Sequence, residues 1–333
     1  MATIRPAQYH KQPSPAAQRA LIVLIMFLLS ACAAQAPIPE QPFSSYQQAI
    51  KELSQQSHMA LHTVAEQDLA HFKHELKKGQ QRQQLPSLLL SFPPDSNFNW
   101  CYPGKDGQCD SAQAPLFIHS ARMAQSLDAM NQLLQDYATL ILNLANANNN
   151  GINSFDSTTE AQQFQTNTQQ ILNQLHTLGI TKKSNIKGLN LFSSIAAKLA
   201  DDYLANRQQQ SLAEVLHEGQ APLAQIIDMA QTALALTAAA NKNYYLNQAP
   251  TLLRETINNT ASDSTLEPLL ILNAKTQTQL ALYEVLSQAY GALLGAQQQL
   301  IQATQGHSSI QLSELNLLIS KIQTLKKKLE PPQ

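Results

Sequence analysis

Charge is scarce in this chain. Asp, Glu, Lys and Arg make up 14% of its 333 residues and nearly cancel, to a net −1, where an average globular protein carries about 25%. So little charge of either sign gives no footprint for nucleic acid or for electrostatic attachment to a membrane. Glycine is also rare, at 10 residues, and aromatic residues are 6%. Turns are therefore few, and β-formers are outnumbered by Ala, Leu and Gln, which argues against a strand-built architecture. No Gly-rich loop follows a strand to cradle a phosphate. No G-x-S-x-G elbow or His-Glu-x-x-His helix is present. An enzyme is not expected, and neither is a cofactor.

What is present begins with a short apolar stretch. Leu21–Ser30 is uncharged and almost wholly apolar, with Arg5, Lys11 and Arg19 before it and Ala31-Cys32 after it. A transmembrane helix needs about 20 apolar residues, and polar, proline-containing sequence (Gln35, Pro37, Pro39, Glu40) follows too soon. A basic segment, a short apolar core and a small-residue exit are the layout of a secretory signal. Leu29-Ser30-Ala31-Cys32 resembles the lipobox of bacterial lipoprotein precursors. That resemblance covers roughly the first 35 residues. It implies cleavage before Cys32, diacylglycerol on the Cys32 sulfur and an acyl chain such as palmitate on the new amino group. Within that class, Ala33 rather than Asp after the cysteine implies the outer membrane, facing the periplasm. Residues 1–31 are then the signal peptide, and 32–43, with three prolines, a lipid-anchored tether.

The remaining sequence, 44–330, predicts an all-α fold, a bundle of about six or seven long helices. Ser44–Gln47 reads as a capping box opening a first helix that runs to about Lys78. Met123, Leu127, Met130, Leu134, Tyr137, Ile141 and Leu144 alternate steps of four and three, a sustained core seam for a second helix. A second capping box, Ser157–Glu160, opens a third. Gly219 and Pro222 punctuate before a fifth, which Pro250 is expected to bend or end. Ser264–Glu267 opens a sixth that reaches about Thr304. Leu315, Leu318, Ile322, Leu325 and Leu329 mark a seventh. Gly291-x-x-x-Gly295 predicts a close approach of two helices.

Residues 80–114 interrupt the helical pattern with Pro and Gly, and Ser87–Phe92 reads as a short extended piece. Cys101 and Cys109 are an even pair in a chain bound for an oxidising compartment, which predicts a disulfide. Phe98, Trp100 and Tyr102 crowd this loop, and Trp100 is the only tryptophan. Such rings make a partner-binding tip or a lid on the end of the bundle.

Four histidines, His58, His62, His71 and His74, fall on the first helix. His58 and His62 are one turn apart, with Glu66 extending the row, and are the two candidates for a metal, but His62 and His71 point about 180° apart, so the four cannot share a site. They are read as solvent-facing or edge histidines, and no metal is expected. Asn146–Gly151 imitates the start of a calcium loop but lacks its carboxylates, and is read as a turn. The Lys326–Lys328 run complements a helix dipole.

The predicted function is a lipid-anchored envelope scaffold or assembly component acting through protein–protein contacts, with the membrane and other envelope proteins as partners. A helical ligand-binding module in the periplasm stands second, and a metal protein or enzyme using the first helix's histidines third.

Overall fold

The long helices follow from composition: runs of Ala, Leu and Gln fix few rotamers and compete little with the backbone. The computed structural model describes residues 38–81, 89–91, 99–101, 116–150, 157–177, 191–192, 194–195, 208–258, 266–305 and 312–329. The helices are α1 (Glu40–Gln81), α2 (Leu116–Asn150), α3 (Ser157–Thr177), α4 (Gln208–Glu218), α5 (Gln220–Asn258), α6 (Glu267–Thr304) and α7 (Ser313–Leu329). Leu191, Phe192, Ser194 and Ile195 are also helical. The chain is thus an all-α bundle, with one pair of three-residue strands, β1 (Leu89–Ser91) and β2 (Asn99–Cys101), between α1 and α2.

Helices α1 and α2 form an antiparallel hairpin along most of their length. Phe72 meets Phe117 at one end, with ring centroids 4.8 Å apart. Near the other end, Gln47 Nε2 donates to Thr139 Oγ1 at 2.9 Å. The predicted α2 seam is core: Leu134, Tyr137 and Ile141 are wholly buried, as are Leu127, Met130 and Leu144 within a few per cent. Burying one such aliphatic side chain contributes about 1.5–3 kcal/mol. Helices α5 and α6 make a second antiparallel pair, fastened by Asn241 Nδ2 donating to Gln279 Oε1 at 2.8 Å. The two pairs pack on one another where α6 lies beside α1, and Leu286, Tyr290, Leu293 and Leu300 of α6 are fully buried there. Helix α3 covers α2, with Phe164 and Tyr137 both against Phe192. Helix α7 closes the other side through Leu315, Leu318 and Ile322.

Several predicted boundaries move. Helix α1 starts at Glu40, not at Ser44, and Ile38 is already buried, so the chain joins the bundle inside the stretch read as tether. Pro42 is tolerated in the first turn, where backbone N–H groups have no intrahelical partner anyway. Burial of Phe43 and Tyr46 then draws that turn into the core. Pro250 does not end α5, which continues to Asn258. The carbonyl it deprives of a partner belongs to exposed Leu246, where water can replace the lost bond. Helix α2 extends through Asn150, so Asn146–Asn150 is helix rather than turn. Gly291 and Gly295 are exposed, and a Cβ at Gly295 would meet nothing within 4 Å. The core phase of α6 runs through Ala289, Tyr290, Leu293 and Ala296 and leaves both glycines on the outer side. Only Gly291 has a neighbouring helix close by, since a Cβ there would stand 3.3 Å from Gln231 Nε2 of α5, which donates to the Ser287 carbonyl at 3.0 Å.

The glycine that does matter is Gly219, between α4 and α5. A Cβ there would stand 2.8 Å from the Tyr137 ring and 2.9 Å from the Val215 carbonyl. Its own N–H donates to that carbonyl at 2.9 Å, so the two helices pass through it almost without a break.

Candidate functional site

Halfway along the α1–α2 hairpin the seam turns polar. Ser57, Asn131 and Tyr290, from three helices, are buried together. Tyr290 Oη donates to Asn131 Oδ1 at 2.6 Å, and Asn131 Nδ2 donates to Ser57 Oγ at 2.9 Å. Ser57 Oγ also lies 2.9 Å from Tyr290 Oη. Burial pushes the Tyr290 phenol well above its ordinary pKa, against the opposing effect of both hydrogen bonds. The hydroxyl is therefore a fixed neutral donor.

At the outer edge of this network stand His58 and His62 of α1 and Asp128 of α2. The i, i+4 spacing stacks the two imidazoles on one face, with centroids 4.1 Å apart. Asp128 takes both: His58 Nδ1 lies 2.8 Å from Oδ1, and His62 Nε2 lies 2.8 Å from Oδ2. A carboxylate only accepts, so the facing nitrogens carry the hydrogens. Side-chain exposure is 53% for His58, 38% for His62 and 31% for Asp128, which places the cluster at the solvent boundary. The two histidines are thus solvent-facing edge residues, as the sequence reading has them, but that reading missed Asp128, their partner on the other helix.

The other α1 histidines are elsewhere, as the helical wheel requires. His71 faces α5, edge-on to Tyr244 at 6.0 Å and 3.4 Å from Gln248 Nε2. His74 is exposed. Near His71, the Ser120 hydroxyl donates to buried Asp68. Burial raises the Asp68 pKa, while the Ser120 hydrogen bond and His71 pull it down. Asp136 is likewise raised by burial, against hydrogen bonds from Gln132 and Asn167.

Of the residues singled out in the loop, Trp100 and Cys101 lie in β2, with Trp100 paired to Leu90 and Cys101 to Leu89. Phe98, Tyr102, Cys109 and the lipid-attachment residue Cys32 lie outside the described residues. Between α1, α6 and α7 a pocket of about 260 Å³ is lined by Met59, Ala60, Leu282 and Leu329, with Lys275 and Lys326 beside them. That is below the ~300–1,000 Å³ of most ligand pockets. Helix α5 is long and apolar enough to cross a membrane, but its Leu223, Ile226, Ala230 and Leu234 are core residues of the bundle.

No protein-family model, curated protein or solved structure matches this chain.

Proposed function

We propose that this chain is a lipid-anchored envelope protein, held at Cys32 to the outer membrane and facing the periplasm, which acts as a scaffold or assembly component through protein–protein contacts. The lipobox-like Leu29–Cys32 carries the anchoring half of this reading. One observation carries the scaffold half. Leu253 near the end of α5, Leu246 two turns before it, and Leu266, Leu270 and Ile271 at the start of α6, are between 43% and 63% exposed. Because α5 and α6 run antiparallel, all five belong to the same end of that helical pair, and large apolar side chains left exposed in one region suit a contact site for other proteins. Helices of 35–42 residues suit the same role, since they hold surface positions at set distances from one another. A ligand-binding module using the pocket beside α7 is the second reading.

The test is site-specific photo-crosslinking in intact cells. A crosslinker at Leu270 should capture a defined envelope protein, and the same crosslinker at Leu236, exposed in mid-helix, should not. Equal capture at both positions, or capture of none, would remove the scaffold reading.

A further inference from the structure

The geometry points to a metal site at His58, His62 and Asp128: two imidazoles and one carboxylate, from two helices, that would hold a single divalent first-row transition ion such as Zn²⁺.

Three observations support this. The first is convergence. One ligand atom from each residue can be chosen so that all lie within 4.8 Å of one another. A tetrahedral ion with bonds of about 2.0–2.1 Å spaces its donors about 3.3–3.4 Å apart. The two His–Asp128 separations of 2.8 Å and the 4.8 Å limit bracket that spacing. The second is the donor set. Two imidazoles suit zinc, copper or nickel, whereas calcium and magnesium want several hard oxygens and find one carboxylate here. Two histidines and a carboxylate leave a fourth tetrahedral position for water or a partner's ligand.

The third is preorganisation. A pair of surface histidines at i, i+4 is common and by itself selects nothing. Here the opposing ligand is held in register. Ser57 precedes His58 on α1, and Asn131 lies one turn beyond Asp128 on α2. The buried hydrogen bond between Ser57 and Asn131, 2.9 Å long, locks the two helices at this level. Tyr290 of α6 ties down the Asn131 amide from a third side. A site on packed helices, supported by buried hydrogen bonds, keeps its ligand geometry better than one on a loop. The half-exposed His58 ring leaves a route for the ion to enter. The sequence argued against a metal because the four α1 histidines cannot share one face; Asp128 of α2 meets that objection by supplying the third ligand from the other helix.

The test uses the full-length chain, purified in detergent without a histidine tag and stripped with a chelator. Zn²⁺ is titrated calorimetrically in excess Mg²⁺. One equivalent should bind tightly. His58→Ala and His62→Ala should each weaken binding by about 100-fold or more, and Asp128→Asn by at least about tenfold, since even outer-shell changes at metal sites cost 10–100-fold. His74→Ala, on the same helix but outside the cluster, should bind as wild type. Zn²⁺ should raise the melting temperature of wild type and of His74→Ala but not of the three cluster variants. Co²⁺ in place of Zn²⁺ should give the intense visible bands of tetrahedral coordination. The proposal fails if no equivalent of Zn²⁺ binds. It fails equally if Asp128→Asn binds like wild type, which would leave only an adventitious histidine pair. Circular dichroism of each variant confirms that the bundle is intact before binding is compared.

Discussion

Tyr290 of α6 and Asn131 of α2 share a buried hydrogen bond of 2.6 Å, and it joins the two helical pairs at mid-height. Removing the phenolic oxygen strands Asn131 Oδ1 in the core, so Tyr290→Phe should destabilise the bundle by about 1–3 kcal/mol. Tyr46 is the control. It is equally buried, but its hydroxyl has no hydrogen-bond partner among the described residues. Tyr46→Phe should therefore be neutral or slightly stabilising. Denaturant unfolding of both variants checks the contrast, and equal losses would show that the network contributes nothing.

Gly219 should tolerate no side chain. Gly219→Ala forces a methyl group against the Tyr137 ring and the Val215 carbonyl. Overpacking of this kind costs about 1–3 kcal/mol. Tyr137→Leu in the same chain should recover part of the loss, because the new side chain is shorter. A thermal melt of the single and double variants reads this directly.

Asp68 should make stability depend on pH. Its folded pKa is raised above the ordinary 3.8, chiefly by burial. Between those two values the folded protein keeps a proton that the unfolded chain has lost. This group's contribution to stability therefore falls as pH rises through that window, and above it the fold carries a buried charge. Asp68→Asn keeps an acceptor for the Ser120 hydroxyl and removes the charge. It should be more stable than wild type at pH 7 and show a flatter profile on the acid side. A variant that is less stable at pH 7 would mean that the charge, through His71, is worth more than its burial costs.

Cys32→Ala should abolish lipid attachment and leave the precursor poorly processed. Intact-mass spectrometry of the membrane fraction checks it. A wild-type chain that begins before Cys32 and carries no lipid adduct would remove the anchoring half of the proposed function.

The bundle was legible because helix cores announce themselves by period. The seam from Leu127 to Leu144 and the run from Leu315 to Ile322 are both buried. Helix ends were less legible. Ser44–Gln47 has capping-box chemistry, but burying Phe43 outweighs it, and Pro250 looks like a stop until the exposure of its turn is known. Glycine spacing was a partial guide, since Gly291 lies against Gln231 of α5 whereas Gly295, out of phase with the α6 core, faces open space. The His58–His62 pair was visible on one helix, whereas Asp128 was not. No local pattern marks it, and only the antiparallel register of α1 and α2 brings it across. The polar positions Ser57 and Asn131, placed in an otherwise apolar seam, were the available hint.

At about 1.5 Å per residue, α1 is a rod roughly 63 Å long. The residue where the chain enters the bundle, Ile38, lies beside its first turn, and the connection carrying β1 and β2 leaves from its last. The length of this one helix therefore sets the span between the point where the chain enters the bundle and that far-end connection. Two heptads deleted from α1, with matching deletions in α2, would bring the two about 21 Å closer without altering any residue in either. Span and surface chemistry are in this way independent variables of the same helix.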